Sequence, residues 1–484
     1  MNLFSYRLLS VTALFCTASC YAQLPQPGAP APREPRMTNS IEALPRAGQN
    51  PLSGSIQSGQ ATAGPIDLTL EAALERGLRY NLSIVQGDQN VRLRQAARVR
   101  ALSELLPTLS IRPSISEQQV NLAAFGFTGF PGIPPVVGPF TLYDARAYAR
   151  QTLSLQDWRD LRAGRESERS AVLSNRDARE QVVLIVTAAY LQALSGEARI
   201  QSQRAQLDTA EAEYRQAVDR KNAGTVAGID VLRAQVQTQS QQQRLIAYEG
   251  DFEKQKITLA RMIGLPLGQQ YRLTDRIEPQ AVPGEFTLES VLQQAYKQRA
   301  DYLAAESRVR SAELSKSAAV ASRYPSIELD ANYGTNGLSP MSLHGSFSVT
   351  GAVNIPIYQG GRVRADVEAA DAVLRQRKAE VEDLRGQIDA EVRTALTDLN
   401  SASRQVEVAT KNVDLAKQEL QQARDRFAAG VTNNLEVVQA QDAVALANEN
   451  YISSLYYLNT AKASLLRSRG DAEQTIRTLL RSRK

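Results

Sequence analysis

Leu68–Ile111 (LTLEAALERGLRYNLSIVQGD…ELLPTLSI) aligns without a gap on Phe286–Leu329 (FTLESVLQQAYKQRADYLAAE…SRYPSIEL), 218 positions further along. Pro107 falls on Pro325, Glu71 on Glu289 and Leu74 on Leu292. A second window repeats at an offset of 206, where AVDRKNAGT…IDVLRAQ (217–235) matches ARDRFAAGV…LEVVQAQ (423–441). Self-similarity at this period marks a duplicated supersecondary unit, so each local reading is tested twice.

Each copy opens as helix. Thr69 stands where a cap is needed for a helix through Leu70, Leu74 and Leu78. A second helical segment runs from about Ser83 to Leu105, and its counterpart from Asp301 to Arg323. Both stop near a proline, which lacks an amide hydrogen and disfavours helix just before it. The period then switches to two. Leu109, Ile111, Pro113 and Ile115 alternate with polar neighbours, as do Ile327, Leu329, Ala331 and Tyr333 in the second copy. Returning segments follow at Tyr143–Arg150 and Phe347–Ile355, so strands are expected at about 108–119, 141–155, 326–334 and 346–357. Their length and weak alternation suit a membrane barrel, apolar outward and polar inward. A half-buried hairpin on a soluble core would alternate too. Yet the inward set holds Arg112, Asp144, Arg146, Arg150, Glu328 and Asp330, which favour a water-filled lumen, and the flanking helices offer no broad apolar cover. Four strands cannot close a barrel, and an open edge in lipid leaves backbone groups unpaired, so the chain must oligomerise.

Long proline-free stretches follow, about 161–222 and 362–429. Some 60 residues of helix would reach about 90 Å. Towards their far ends Leu207, Ala210, Tyr214 and Ala217, and again Val413, Ala416, Leu420, Ala423 and Phe427, form coiled-coil seams. Gly224 and Gly430 break these rods, read first as helix C-caps with positive φ. Return helices are expected at about 229–263 and 435–469. The organisation is thus a signal peptide (1–22), a Pro/Gly/Ser-rich tether (23–66), two repeats (67–280 and 281–470) and a C-terminal tail (471–484).

Composition agrees with long helices. Aromatic residues make up 6% of the 484 residues, Trp158 is the sole tryptophan, and Gln, Ala, Arg and Leu dominate. A net charge of +5 with acids and bases interleaved gives no basic block of the kind nucleic acid requires. At the N-terminus, Arg7, the apolar run Leu8–Ala18 and the small residues after it form an export signal. Cleavage after Cys20-Tyr21-Ala22 is the favoured processing, with a loose lipobox at Thr17-Ala18-Ser19-Cys20 as the alternative that would make Cys20 a lipid anchor. With both cysteines at or before that region, the mature chain is expected to hold no disulfide. No transmembrane helix is expected beyond the signal.

Nothing converges on catalysis. The one histidine, His344, is expected on an outer loop, and without a free thiol a Cys/His zinc site or Cys-His nucleophile is excluded. Gly360-Gly361 reads as a turn at a strand-to-helix junction. No enzyme activity, cofactor or metal is expected. The residues of interest sit at the helical tips. Asp230 and Glu436 occupy equivalent positions in the first turn of the two return helices, with Arg220 and Arg426 across the tip loop as partners. An acid there complements the helix dipole. Carried around an oligomer axis, the same acids would ring a constriction and gate cations.

This order of elements, doubled, with the tip pattern Ala-Gly-x3/4-Ile/Leu-Asp/Glu-Val, resembles the TolC-like outer membrane efflux proteins over about Asp67–Gly470. Asn354-Ile-Pro-Ile-Tyr-Gln-Gly-Gly-Arg362 looks like that family's lead-in to the second long helix, and Ser154–Arg162 is a degenerate copy. The resemblance implies a mainly α chain with a membrane β-barrel portion. It implies a homotrimer closing a twelve-stranded barrel in outer membrane lipid over a periplasmic α-helical barrel, in a Gram-negative-type bacterium. The tips, here Gly224, Thr225, Val226, Gly430, Val431 and Thr432, would dock a periplasmic adaptor that links to an inner-membrane transporter of the RND or ABC class. Family members export drugs, metals or proteins, as passive ducts of tripartite efflux or type I secretion systems. Their closing constriction uses an acid at Glu436 and often another three residues on, where this chain has Gln439; an expected tip arginine is Thr432. A non-conducting periplasmic coiled-coil scaffold is the alternative function.

Overall fold

The computed structural model describes residues 51–62, 64–126, 132, 134–266, 268–275, 287–432 and 434–481. The expected signal peptide, Cys20 and residues 23–50 of the expected tether lie outside the described residues. The first copy contains β1 (Ile66–Leu68), α1 (Leu70–Tyr80), α2 (Leu82–Ser103), β2 (Thr108–Asn121), β3 (Val136–Leu153), α3 (Leu155–Asn222), α4 (Gly228–Met262) and β4 (Tyr271–Leu273). The second contains α5 (Leu288–Gln298), α6 (Ala300–Ala321), β5 (Ser326–Gly337), β6 (His344–Asn354), α7 (Arg362–Ala428), α8 (Asn434–Arg469) and α9 (Ala472–Arg481).

Duplicated sequence gives duplicated local structure. The Thr69 hydroxyl accepts the Ala72 N–H at 3.1 Å to cap α1, and the Thr287 hydroxyl accepts the Ser290 N–H at 3.4 Å to cap α5. Gly264 and Gly470 end the return helices at φ +70° and +84°. A Cβ at Gly264 would lie 2.6 Å from the Ile56 carbonyl, and one at Gly470 2.8 Å from the Arg299 backbone. Glycine is required there by both conformation and space.

The four longer strands pair antiparallel in the order β2-β3-β5-β6. Register decides the chemistry of the two faces, because directly paired residues share a face. One row is Leu109, Ala149, Ala331 and Val349; the next is Ile111, Ala147, Tyr333 and Phe347. The opposite face carries Thr108, Arg150, Asp330 and Thr350, then Arg112, Arg146, Gly334 and Ser346. There Arg150 Nε lies 2.5 Å from Asp330 Oδ1. Leu109 and Ile111 are each 80% exposed and Phe347 76%, so a contiguous apolar face stands uncovered by the chain itself.

Helices continue the sheet. α2 packs on α3, α3 on α6 and α6 on α7, so four helices lie side by side in the order of their strands. Farther from the sheet, α4 packs on α3, α3 on α8 and α8 on α7. The main cores lie midway along the rods. Under α1, Leu74 and Leu78 meet Val182, Val183, Val186, Tyr190, Leu259 and Ile263. Under α5, Val291 and Ala295 meet Tyr302, Val381, Ile388, Val392 and Leu465.

Beside these cores sits a cluster of charges. Arg299 is 1% exposed and occupies the position equivalent to Asn81. It donates to Asp301 Oδ2 and to Glu391 Oε2, each at 2.7 Å. Burial acts to raise the Asp301 carboxyl, but the hydrogen bonds and charge of Arg299, with Arg467 beyond, hold it below the ordinary carboxylate value. Arg467 in turn reaches Asp177 Oδ1 on α3 at 2.5 Å. Arg179 of α3 meets Glu473 of α9 at 2.6 Å.

Several expectations need correction. α3 starts at Leu155 and not near 161, because the Ser154 hydroxyl accepts the Asp157 N–H at 3.0 Å and caps it there. The tail is not featureless: Ala472 and Ile476 join the first core, so residues 472–481 gain the apolar contacts that make a helix worth forming. The expected tether is anchored within its last residues, since Ile56 N donates to the Tyr80 carbonyl at 2.9 Å and β1 pairs parallel with β4. His344 begins β6 and lies in the ladder opposite Asn336. Contrary to the expectation of no further candidate span, α3 is long and apolar enough to cross a membrane by length and composition alone. Its most apolar part, Val182–Leu194, is the stretch buried in the first core, so packing accounts for it.

Candidate functional site at the helical tips

Both rods end alike. The Ala223 N–H donates to the Asp219 carbonyl and Ala429 to Asp425, each at 2.9 Å. Thr225 N reaches the Arg220 carbonyl at 2.9 Å, and Val431 N reaches Arg426 at 3.0 Å. These bonds wrap Gly224 (φ +75°) and Gly430 (φ +72°), satisfying orphan carbonyls of the last turn. α4 and α8 then turn back, with Asp230 and Glu436 in their first turns.

Below the turns, small residues hold each hairpin together. Ala423 packs on Val437 and Ala440 beside Leu420 and Phe427, and farther up Val413 and Ala416 meet Ala447. In the first copy Ala210, Ala217 and Ala234 are buried, and the Thr238 hydroxyl donates to the Ala210 carbonyl at 3.2 Å. Short side chains let the backbones approach closely, which gives thin, stiff tips.

The two copies part company in their charges. Arg426 Nη1 lies 2.6 Å from Glu436 Oε1, and the Thr432 hydroxyl donates to the other carboxylate oxygen. Glu436 is thus fixed from both sides, with Thr432 standing where an arginine was expected. Arg220 behaves differently. Its guanidinium lies 4.8 Å from the centre of the Phe427 ring, a cation–π contact, while Asp230 faces Arg233 of its own helix at 3.5 Å. The expected pairing across the tip loop therefore forms in the second copy and not in the first. The cause is local: Phe427 presents an aromatic platform, and its first-copy equivalent is Lys221.

A cavity of about 610 Å³ lies between the tips, lined by Asp208, Glu213, Asp230 and Asp425 against Arg220 and Arg424. Arg424 Nη2 bridges to Glu213 Oε1 at 3.1 Å, tying α7 to α3. The sequence reading missed Asp208, Glu213 and Arg424. The repeat gave no signal for them, because the contact joins non-equivalent positions of the two copies. Val431 is 70% exposed, Leu232 57% and Ile229 52%, so the ends of the rods offer apolar side chains to a partner. Among the described residues no cluster of His, Cys, Asp and Glu is arranged to hold a metal ion.

A sheet with one apolar and one polar face, continued by long rods that end in charged tips, defines a subunit of an oligomeric channel that crosses a membrane. The family profile described as outer membrane efflux protein matches residues 73–265 and 291–471, and the chain belongs to that family. It is similar to the pyoverdine export outer membrane protein OpmQ of Pseudomonas putida, at 24% identity over 64% of this chain and 66% of OpmQ. The probable outer membrane lipoprotein SilC of Salmonella typhimurium is 22% identical over 97% of this chain and 99% of SilC. Among solved structures, the Campylobacter jejuni CmeC outer membrane channel superposes with a TM-score of 0.72 at 15% identity, covering 90% of this chain and 95% of CmeC. The chain is thus an outer membrane efflux channel, of a family that is not a known enzyme class. Channels of this kind are trimeric and work with an adaptor and an inner-membrane transporter.

Proposed function

We propose that three copies of this chain form the passive exit duct of a tripartite exporter, leading from the periplasm to the exterior. The observation that carries this reading is the two-faced sheet: its apolar rows have no cover within the chain, its polar rows hold arginines and carboxylates, and β2 and β6 each have one partner among the described strands. Three sheets joined edge to edge make twelve strands and leave no open ladder in lipid. The tips at Gly224–Val226 and Gly430–Thr432 then project into the periplasm as the docking site for an adaptor, which apolar Ile229, Leu232 and Val431 would grip. Glu436, held by Arg426 and Thr432, would repeat around the axis as an acidic ring. An RND-class or an ABC-class transporter would serve equally well at the other end of such an assembly.

Purified protein should run as a heat-resistant trimer in SDS and give discrete single-channel steps in a planar bilayer. A trimer that never conducts would support the scaffold alternative instead. In the same recordings Glu436→Gln is expected to lower cation preference and relieve block by multivalent cations. Unchanged ion selectivity would retire the ring and leave Glu436 with a helix-dipole role.

A further inference from the structure

A second cavity, about 480 Å³, lies in the helical wall nearer the sheet and touches α2, α3, α6 and α7 together. Near the sheet those four helices form one layer, packed side by side in the order given above. A cavity that reaches all four members of such a layer lies on the layer's concave side. Once three layers close into a ring, the concave side is the inside of the tunnel.

The lining of this cavity is one-signed. It contains Arg94, Arg308 and Arg377, with Ser167, Ser174 and Ser311 among its hydroxyls, and no carboxylate. The tip cavity, by contrast, is lined by four acids and two arginines. Arg308 Nη2 donates to the Ser174 hydroxyl at 2.8 Å, and among the described residues neither Arg94 nor Arg308 has a carboxylate within ion-pair distance. Arg377 is held by Glu380 at 2.8 Å, a carboxylate outside the lining that also feels the charge of Arg308. The three arginines share one level: Arg94 stands 13 residues before Pro107, Arg308 17 before Pro325 and Arg377 15 after Arg362. At helical rise that puts all three roughly 20–25 Å from the base of the sheet. The duplication does not explain them, since the position equivalent to Arg94 is Ala312 and that equivalent to Arg308 is Asn90.

We propose that Arg94, Arg308 and Arg377 form a basic belt inside the tunnel that binds solutes carrying carboxylate, phosphate or sulfonate groups as they pass. This rests on the duct reading, which turns three arginines per chain into nine around one ring. Guanidinium groups match such anions with paired hydrogen bonds, and the serine hydroxyls supply further donors at the same depth. Fixed charge of one sign in a narrow, low-dielectric tube concentrates the opposite ion there. The belt and the acidic tip cavity lie at different depths, so an anionic cargo would leave a region that repels it for one that holds it.

The test is binding of pyrenetetrasulfonate, a fluorescent tetra-anion, to the detergent-solubilised trimer, followed by anisotropy at low salt. Arg94→Glu should leave the fold intact, since that side chain is exposed on the cavity wall. It is expected to weaken dye binding roughly tenfold, and raised salt should weaken the native protein's binding in parallel. Arg94→Lys keeps the charge but loses the paired hydrogen bonds, so its affinity should fall between those of the native and Arg94→Glu proteins, an order that a purely steric or folding effect would not reproduce. In planar bilayers Arg94→Glu should also move the reversal potential in a KCl gradient towards cation preference. Equal dye affinity in native and Arg94→Glu trimers that both conduct overturns the belt and leaves the duct reading standing. Failure of the native protein to form trimers or to conduct removes the duct reading itself, and the tunnel placement of the belt with it.

Discussion

Phe347→Arg is expected to abolish heat-resistant trimers in the outer-membrane fraction, while Ser348→Arg, one residue on, leaves them in place. The two side chains lie on opposite faces of β6: Phe347 pairs with Tyr333 in the apolar rows, and Ser348 pairs with Asn332 in the polar ones. Phe347 lies inside β6, three residues from its start, so a guanidinium there enters hydrocarbon and costs about 2 kcal/mol per chain, within a range that reaches about 4 at the midplane, and roughly three times that per trimer. That total rivals the whole stability of an ordinary domain. At Ser348 the added arginine joins Arg146 and Arg150 in an aqueous setting and meets no such penalty. Fractionation and unheated gels of both variants decide the matter. If Phe347→Arg assembles normally and Ser348→Arg does not, the faces have been assigned the wrong way round.

The second large effect concerns Arg299. Arg299→Ala is expected to destabilise the helical part by about 2–3 kcal/mol, because half-buried Asp301 loses its hydrogen-bonded cation and keeps only Arg467 at 3.8 Å, while Glu391 is exposed enough for water to take over. Replacing all three together, as Arg299→Met, Asp301→Asn and Glu391→Gln, should recover a good part of that loss, since no uncompensated charge remains. The pH dependence has a definite sign. Asp301 has a depressed carboxyl in the folded chain, so its stabilisation is complete above the unfolded value near 3.9 and fades as pH falls through the lower, folded value. The gap between native and Arg299→Ala should therefore narrow on acidification below about pH 4. Thermal unfolding followed by helical signal at a series of pH values checks both points. A gap that stays constant down to the acid limit would mean Arg299 acts through packing and not through charge.

Much of the architecture could be read from the residues, for identifiable reasons. Pro107 and Pro325 end helices whatever surrounds them, and alternation at Leu109–Ile115 and Ile327–Tyr333 marks strands, with the polar side chains between them pointing to a wet inner face. Gly224 and Gly430 mark turns because the backbone there has positive φ. What escaped notice depends on tertiary contact. Arg299 looks like one more solvated helix charge, and nothing local says that Gly470 and α7 close over it. Residues 472–481 look like a polar tail until Ile476 finds the first core. Arg220 and Arg426 are equivalent in sequence, yet one stacks on a ring and the other pairs with an acid, because their neighbours differ at Phe427 and Lys221. Repeats predict what each copy does alone; they are silent on what one copy does to the other.

The two free ladders of the sheet bear on how the assembled protein comes into being. β2 of one subunit must meet β6 of the next, a head-to-tail contact that becomes a finite object only when the third subunit returns to the first. A lone subunit or a pair would carry raw peptide groups into hydrocarbon, so neither is a viable resident of the bilayer. Insertion should thus scale with roughly the cube of subunit concentration at low expression, with the water-borne rods gathering before the lipid-facing strands commit.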